Sequence, residues 1–369
     1  MKFRWLNGET LGQTYNPNLN SIGAIRLACA LAVIIGHAHP FAGYGDTFLM
    51  RLTNQQISGA RVSVDVFFVL SGFLLTASWE RSSLRAYFRN RILRIFPGLW
   101  ICLLITGVVV PMLFGVSPGW QYVLQNAVLL GGTHNFIPGL FQENIFRGAN
   151  SALWTLPWEV YCYISLPFLA LGGTRKKQFA LLIFFILWAA FCANIVATTD
   201  ISDKRAITSP LRLFTFFYAG VLLHLFRDSI PCLRTLAIVM AGLLALGTAV
   251  GTVAFPHAGG IFYIIAPIAV SYLTLYCAAT LPLTAVNARH DISYGLYIYG
   301  TYSIQVLIAL GFSSQSLSYP AFATLCLLVA VPISWLSWHL VEAPALKLKQ
   351  ITFAKSSRTG ASKQGTSMN

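Results

Sequence analysis

The sequence has few charged residues and, in particular, few acids. Asp, Glu, Lys and Arg make up 10% of the 369 residues, and only 11 residues are acidic, whereas soluble domains carry roughly 25% charged residues. Apolar residues form 56% of the chain, and the mean hydropathy is +0.66. Because so little polar surface cannot cover so much apolar area in water, a soluble domain and a disordered chain are both excluded. We therefore expect a protein whose main solvent is lipid.

Paired or clustered cysteines are also missing. The seven cysteines are dispersed, most of them within apolar runs, and they form no C-x-x-C motif. The sequence therefore predicts neither a disulfide framework nor a metal site. The formal charge of +14 would suggest an anionic partner for a soluble protein, but in a membrane protein it indicates cytoplasmic loops rich in Lys and Arg. We expect no nucleic-acid partner.

The chain does contain a series of apolar runs that are long enough to cross a bilayer. They predict an all-α, polytopic integral membrane bundle of about ten transmembrane helices. No cleavable leader is apparent, so the first run is expected to remain as a helix. Residues 1–349 would form one membrane domain, and residues 350–369, which are rich in Ser, Lys and Gly, would form a disordered cytoplasmic tail. The ten runs lie near 21–38, 64–79, 96–115, 151–171, 178–197, 211–226, 232–254, 261–282, 291–312 and 320–342.

The distribution of cations predicts which side of the membrane each loop occupies. With ten spans, the segments on the side of the N-terminus carry 18 of the 25 Lys and Arg residues; the opposite side carries six, and Arg26 lies inside the first span. Since cytoplasmic loops are enriched in Lys and Arg, both termini are expected in the cytoplasm. The two longest loops, 39–63 and 116–150, then fall on the outer side.

Two ionisable residues of the first span share one helix face. Arg26 and His37 are eleven positions apart, which returns to within roughly 20° of the same direction after a rise of about 16 Å. Because the first span runs outward, Arg26 would lie toward the cytoplasm and His37 near the outer end, at two ends of one elongated ligand. The alternative is that Arg26 snorkels to the inner interface and that His37 caps the outer one.

Two carboxylates are candidates for supporting His37. Asp65 opens the second span at about the expected depth of His37, and Glu159 lies among aromatic residues in the fourth span. A carboxylate fixes the tautomer of a histidine and stabilises the imidazolium that forms when the ring accepts a proton. As alternatives, Asp65 could cap a helix, and Glu159 could form a structural pair with an Arg or a Tyr.

A cluster of cations follows the second span, at the expected cytoplasmic mouth of the second and third spans. Arginine forms bidentate, charge-assisted hydrogen bonds with phosphate, so the cluster suits a phosphate-rich cytosolic ligand. A simple anchor on anionic lipid would also explain it. The cluster consists of Arg81, Arg85, Arg89, Arg91 and Arg94.

With these motifs, the sequence resembles the acyltransferase-3 family of polytopic membrane acyltransferases over essentially residues 16–346. Five motifs of the family occur in the same order. Val160 stands where many members have a second acid, so no carboxylate pair is expected there. The matches are Arg26 and His37 for Arg, ten residues, His; residues 63–73 for G-V-D-x-F-F-x-L-S-G-F, with Ser63 in place of Gly; Arg91 to Trp100 for R-x-x-R-I-x-P-x-x-W; Trp154 to Tyr163 for W-S/T-L-x-x-E followed four residues later by Tyr; and Glu342 to Pro344 for E-x-P.

The resemblance implies an enzyme that takes an acyl group from acyl-CoA and transfers it to an extracytoplasmic hydroxyl group, commonly on a glycan. We therefore expect a multi-pass O-acyltransferase of the bacterial inner membrane, in the first instance an O-acetyltransferase. It would be the stand-alone form, without an appended esterase-like domain, and would need no metal. Its acceptor would be an exopolysaccharide, an O-antigen or a lipid-linked precursor.

The matched residues can be given roles in such a reaction. Arg91, Arg94 and Arg26 would hold the phosphates of acyl-CoA. His37 would remove the proton of the acceptor hydroxyl group, with Asp65 or Glu159 supporting the imidazolium. An acyl-histidine intermediate on His37 is equally compatible with these residues.

A transporter or flippase for an envelope glycan or another anionic solute is the main alternative. Buried Arg, His, Asp and Glu are also expected along transport pathways. Two features favour the enzyme: no inverted repeat is visible, and the cation cluster lies at one mouth only. A scaffold or signalling protein would leave Arg26, His37 and Glu159 unexplained.

Overall fold

The structure, a computed structural model, describes residues 8–53, 57–169, 181–188, 190–191, 204–253 and 260–349. These residues form helices and connecting loops, with no strand among them, which confirms the all-α class. The predicted tail at 350–369 and much of the predicted span 178–197 lie outside the described residues, although 181–188 are helical.

Nine long helices are present in the described part of the chain. The third contains a π-helical turn at Ile105–Val109, the ninth contains another at Trp338–Glu342, and a 3₁₀ turn at Ser151–Thr155 leads into the fourth. A short helix at Leu11–Thr14 precedes the first of them, and two more, Phe48–Leu52 and Trp120–Asn126, lie between long helices. The long helices are α1 Ile22–Phe41, α2 Gly59–Glu80, α3 Leu84–Leu113, α4 Leu156–Leu169, α5 Lys204–Leu225, α6 Arg234–Val253, α7 Gly260–Thr280, α8 Ser293–Ala309 and α9 Tyr319–Lys349.

Four of these helices are long and apolar enough to cross a membrane: α1, α2, α3 and α9. Shorter apolar helices occur at Ser209–Leu225, Arg234–Ala249 and Ile265–Thr280. Every expected span overlaps a helical stretch of the described residues, so the apolar pattern located the helices. The count of ten spans and the cytoplasmic position of both termini stay predictions.

Two helices begin earlier than the apolar pattern indicated. Ser58 caps α2 by accepting a hydrogen bond from the backbone N–H of Arg61 at 3.1 Å, and Ser83 caps α3 in the same way through Ala86 at 3.3 Å. A Ser oxygen at this position satisfies an amide that has no partner within the helix, and Arg is a good helix former. The cations from Arg85 to Arg94 therefore lie on the first turns of α3, and not before the helix as the apolar run near 96–115 indicated.

The core of the bundle is built around α2, which packs along α5 and against α1, while α8 packs against α1 and α9. The helices α2 and α5 approach at glycines. A Cβ atom added to Gly72 would collide with the carbonyl oxygen of Phe217, and one added to Gly220 would collide with that of Val69. Small residues allow such close backbone contact between helices in lipid. The crossing fixes the position of α2 relative to α5.

The segment 127–150 has no regular helix, but hydrogen bonds connect it to α8. The side-chain amide of Gln305 donates to the carbonyl oxygens of Phe146 at 2.5 Å and Gly148 at 2.6 Å, and the amide of Asn150 donates to a backbone carbonyl of α8 at 2.7 Å. Buried amides must find partners, so these bonds order the segment. It closes over the end of α1 that carries His37.

Candidate functional site

A cavity with an empty volume of about 830 Å³, part of it open to solvent, lies between α1, α2, α3, α4 and α8. Four of the six residues singled out from the sequence line it: Arg26, Arg91, Arg94 and Glu159. The helices that supply them are far apart in sequence, so their convergence is a property of the fold. The other polar residues of the wall are Ser71, Thr155, Tyr163, Ser293, Tyr294 and Tyr297.

Two of the arginines share one carboxylate oxygen. Oδ2 of Asp291 accepts a hydrogen bond from Arg26 at 2.8 Å and from Arg94 at 2.6 Å. Asp291 lies in the loop just before α8. It was not among the candidate residues, because it stands at the edge of an apolar run with no motif around it. The one signal available was its rarity, since the chain has only 11 acids.

The charge state of Asp291 follows from its neighbours. Burial raises the pKa of this carboxyl group, but the guanidinium groups of Arg26 and Arg94 outweigh burial and hold the pKa well below its usual range. Asp291 is therefore ionised at neutral pH, and its group with the two arginines keeps one net positive charge.

Arg91 adds a third cation to the cavity wall. No ion pair within 4 Å of Arg91 is found among the described residues, and its buried Nε has no hydrogen-bond partner there. Glu159 is the one acidic residue among those that line the cavity. Three guanidinium groups thus face two carboxylates, which leaves the cavity with an excess of positive charge.

Glu159 is held by two hydroxyl groups. Ser71 donates to its Oε1 at 3.3 Å, and the hydroxyl of Tyr163, one turn further along α4, donates to the same oxygen. The pairing with a Tyr that the sequence left open as a structural role is therefore present. Because Glu159 also lines the cavity, this pairing does not remove it from the site.

His37 lies further along α1 than the lining residues of the cavity. Its Nδ1 is 2.8 Å from the carbonyl oxygen of Val33, one turn earlier. A carbonyl oxygen only accepts, so Nδ1 carries the proton in the neutral ring and Nε2 carries the lone pair. No partner of Nε2 is found among the described residues. The ring packs edge-on against Phe41, which stacks on Phe146 of the segment 127–150 at 4.5 Å.

Asp65 is engaged elsewhere. It is buried in α2 and forms an ion pair with Arg212 of α5 at 3.4 Å, with the two side chains 2% and 6% exposed. A helix cap is not its role, because α2 begins at Gly59 and is capped by Ser58. No hydrogen bond between Asp65 and His37 is found among the described residues, and the counter-charge of this buried carboxylate is Arg212. The catalytic role of Asp65 stays a prediction.

Comparison with known proteins decides the family. The family model Acyl_transf_3, described as an acyltransferase domain, matches residues 19–339. The chain belongs to this acyltransferase family. Nodulation protein 10 of Rhizobium leguminosarum bv. viciae is 29% identical over 365 residues, which cover 91% of this chain and 95% of that protein. The O-acetyl transferase of Shigella phage Sf6 is 27% identical over 344 residues, covering 88% and 95%.

A third relative matches a shorter part of the chain. Acyltransferase MdmB of Streptomyces mycarofaciens is 28% identical over 159 residues, which cover 40% of this chain and 38% of that protein. No solved structure matches the chain. The expected family and the expected kind of enzyme are confirmed, and the transporter alternative gains no support.

Proposed function

We propose that this acyltransferase transfers an acyl group, in the first instance acetyl, from cytosolic acyl-CoA to a hydroxyl group of an extracytoplasmic glycan. One observation carries the donor: Arg26, Arg91 and Arg94 line a single cavity together. Their excess of positive charge and their forked N–H groups suit the phosphates of CoA. The name of the phage Sf6 relative, O-acetyl transferase, supports the acyl group and the oxygen acceptor. The acceptor would be an exopolysaccharide, an O-antigen or a lipid-linked precursor.

The proposed sidedness follows from the cations. Residues 1–349 would form one bundle of ten spans in the bacterial inner membrane, with both termini in the cytoplasm. Arg91 and Arg94 then lie toward the cytoplasm, where acyl-CoA is made. His37 lies toward the outer face, about 16 Å further along α1 than Arg26. The pantetheine arm would bridge this distance from the arginines to the histidine.

The proposed chemistry uses the free nitrogen of His37. The acceptor oxygen attacks the thioester carbonyl carbon, a C–O bond forms, and the C–S bond breaks. The proton of the acceptor hydroxyl group passes to Nε2 and then to the departing thiolate of CoA. In the alternative sequence, Nε2 itself attacks the thioester carbonyl carbon, a C–N bond forms, and CoA departs as the thiolate. The acceptor oxygen then attacks the acyl carbon, the C–N bond to His37 breaks, and the proton of the acceptor hydroxyl group passes to the thiolate. In both, the hydrogen bond of Nδ1 to Val33 keeps Nε2 as the reactive nitrogen.

The carboxylate that supports the positive imidazole ring would be Glu159 or Asp65. Neither contacts His37 among the described residues, so this support would act through space across a low-dielectric interior. Glu159 is the stronger candidate, because it lines the donor cavity and Asp65 is neutralised by Arg212.

The test is transfer by the purified protein without a membrane gradient. The protein in detergent is incubated with acetyl-CoA labelled in the acetyl group and with a glycan fraction from a bacterial envelope. We expect label in the glycan and release of free CoA, both dependent on the acceptor and lost in His37→Ala. A folded protein that moves no label from acetyl-CoA to any glycan or glycolipid would refute the proposal.

A further inference from the structure

Asp291 joins two arginines that come from distant helices. Arg26 is on α1 and Arg94 on α3, and each donates to the same oxygen, Oδ2 of Asp291. The two guanidinium groups are therefore held within two hydrogen-bond lengths of each other. Two like charges at that distance repel unless an anion lies between them. Without Asp291 the two arginines would separate.

The carboxylate of Asp291 is fixed independently of the arginines. Its other oxygen, Oδ1, accepts from the side-chain amide of Asn287 at 2.9 Å, from the backbone N–H of Ser293 at 3.3 Å and from the hydroxyl of Ser293. These partners anchor it to the start of α8. A carboxylate held by three donors besides the arginines has little freedom to rotate, so it imposes its own orientation on the two guanidinium groups.

Each arginine retains donors for a ligand. A guanidinium group has five N–H donors, and one nitrogen of each arginine is used by Asp291. Both side chains are also on the cavity wall. Arg94 is positioned further by the rings of Tyr294 and Trp338, whose centroids lie 6.0 and 5.8 Å from its central carbon. Glu342, the other acid near Arg94, forms no ion pair within 4 Å among the described residues and accepts from Ser337.

We propose that Asp291 is a positioning residue that joins Arg26 and Arg94 into one clamp for a phosphate group of the donor. The inference rests on the proposed function, in which a CoA thioester enters this cavity. Asp291 does not touch the donor; it sets the spacing and the direction of the two groups that do. The same geometry would otherwise be an ion pair that serves stability alone, or an internal anion that the donor has to displace, and the three cases differ in what removal of the charge does.

The experiment measures binding of free CoA to the detergent-purified protein by calorimetry. Asp291→Asn removes the negative charge between the two arginines, so their guanidinium groups move apart. We expect the Kd for CoA to rise about tenfold to hundredfold, which is the effect of losing one or two charge-assisted contacts. Arg234→Gln is the control, because Arg234 is an exposed cation at the start of α6, outside both the cavity and the cation cluster. Its Kd should equal that of the wild type.

A double-mutant cycle separates positioning from general damage. If Asp291 acts through the clamp, Asp291→Asn added to Arg26→Gln should change the Kd by less than about twofold beyond Arg26→Gln alone. The double variant also restores the net charge of the cluster, so it serves if Asp291→Asn does not fold. In the transfer assay the KM for acetyl-CoA should rise while kcat and the KM for the acceptor stay unchanged. Asp291→Glu should recover part of the loss.

The other possible binding results distinguish failure of the proposed donor from failure of the clamp. A wild-type protein that does not bind CoA would refute the proposed donor and the clamp together. CoA binding that Arg94→Gln weakens and Asp291→Asn leaves unchanged would refute the clamp and keep the proposed function. Tighter binding by Asp291→Asn would show a displaced anion, and losses that add fully in the double variant would show a structural ion pair; both results overturn the proposal.

Discussion

A single backbone hydrogen bond decides which nitrogen of His37 can act as a base. Nδ1 donates to the carbonyl oxygen of Val33 within the same helix, and this leaves the lone pair on Nε2. In many enzymes a carboxylate has this orienting role. Here the main chain of α1 has it, so Asp65 is free to pair with Arg212 without loss of the tautomer.

Replacement of His37 should therefore remove the chemistry and keep the fold. We expect His37→Ala to lower the transfer rate by about 10²–10⁴, the usual contribution of a general base. His39→Ala is the matched control, because His39 is also near the end of α1 but bonds the carbonyl of Gly45 and packs on Tyr319. It should transfer at close to the wild-type rate. Turnover of the folded His37→Ala protein at the wild-type rate would refute the role of His37.

The ion pair of Asp65 and Arg212 predicts a stability effect that is separate from catalysis. Asp65→Asn leaves the buried charge of Arg212 without its partner, so we expect a loss of about 3–5 kcal/mol, seen as a lower melting temperature in detergent. The double variant Asp65→Asn/Arg212→Gln should recover most of it. Equal melting temperatures for the single and the double variant would contradict the pairing.

The same double variant also tests the catalytic role of Asp65. If the only role of Asp65 is to pair with Arg212, the folded double variant should transfer acyl groups at the wild-type rate. If Asp65 supports His37 electrostatically, the double variant should be as stable as the wild type but should have a lower transfer rate.

Among the helices, the crossing of α2 and α5 depends on two glycines. Gly72 and Gly220 each face a carbonyl oxygen of the other helix at a distance that leaves no room for a Cβ atom. Since that oxygen belongs to the main chain, a larger side chain forces the helices apart. This crossing also positions Ser71, which holds Glu159 in the cavity.

Gly220→Ala should destabilise the protein by about 1–3 kcal/mol, because the added methyl group overpacks a backbone contact. The control is Gly242→Ala on α6, where a Cβ atom meets no atom within 4 Å. That change should be neutral or slightly stabilising, since Ala is the better helix former. Thermal unfolding followed by size-exclusion chromatography measures both variants. Equal melting temperatures would mean that the helices tolerate a wider spacing.

The π-helical turns are a second feature of the helices with consequences for the cavity. The turn Trp338–Glu342 in α9 brings Trp338 to the guanidinium group of Arg94 and buries Glu342. Such turns shift the register of side chains on a helix and are frequent at functional sites. Periodicity in the sequence assumes a regular helix, so it does not reveal this shift.

For the bundle as a whole, the cation count predicts sidedness that labelling can measure. Single cysteines at Arg85 and Lys363 should react with an impermeant thiol reagent only from the cytoplasmic side, and one at Phe136, a residue that is 70% exposed, only from the outside. The unsubstituted chain gives the background of the seven native cysteines. A tail at position 363 that reacts from outside would overturn the even number of spans.

Composition and local pattern were sufficient for the class of protein, the places of the helices and the family. A segment buried in lipid must be apolar and must satisfy its backbone hydrogen bonds internally. Each long apolar run in the sequence is therefore expected to form a helix. The helix starts were less accurate, because Ser58 and Ser83 extend α2 and α3 into polar sequence that an apolar count omits. The motif that includes Arg26 and His37 pointed to the acyltransferase-3 family, which the family model confirms.

The contacts of the charged residues depended on packing between segments that are distant in the chain. Asp291 is 265 positions from Arg26, and Arg212 is 147 positions from Asp65. No periodicity links such pairs. Each buried carboxylate takes whichever cation the fold brings within reach, because an unpaired charge in a low-dielectric interior costs several kcal/mol. For this reason the sequence could name Arg26, Arg94 and Asp65 as exceptional residues, while their partners followed only from the way in which α1, α3, α5 and α8 meet.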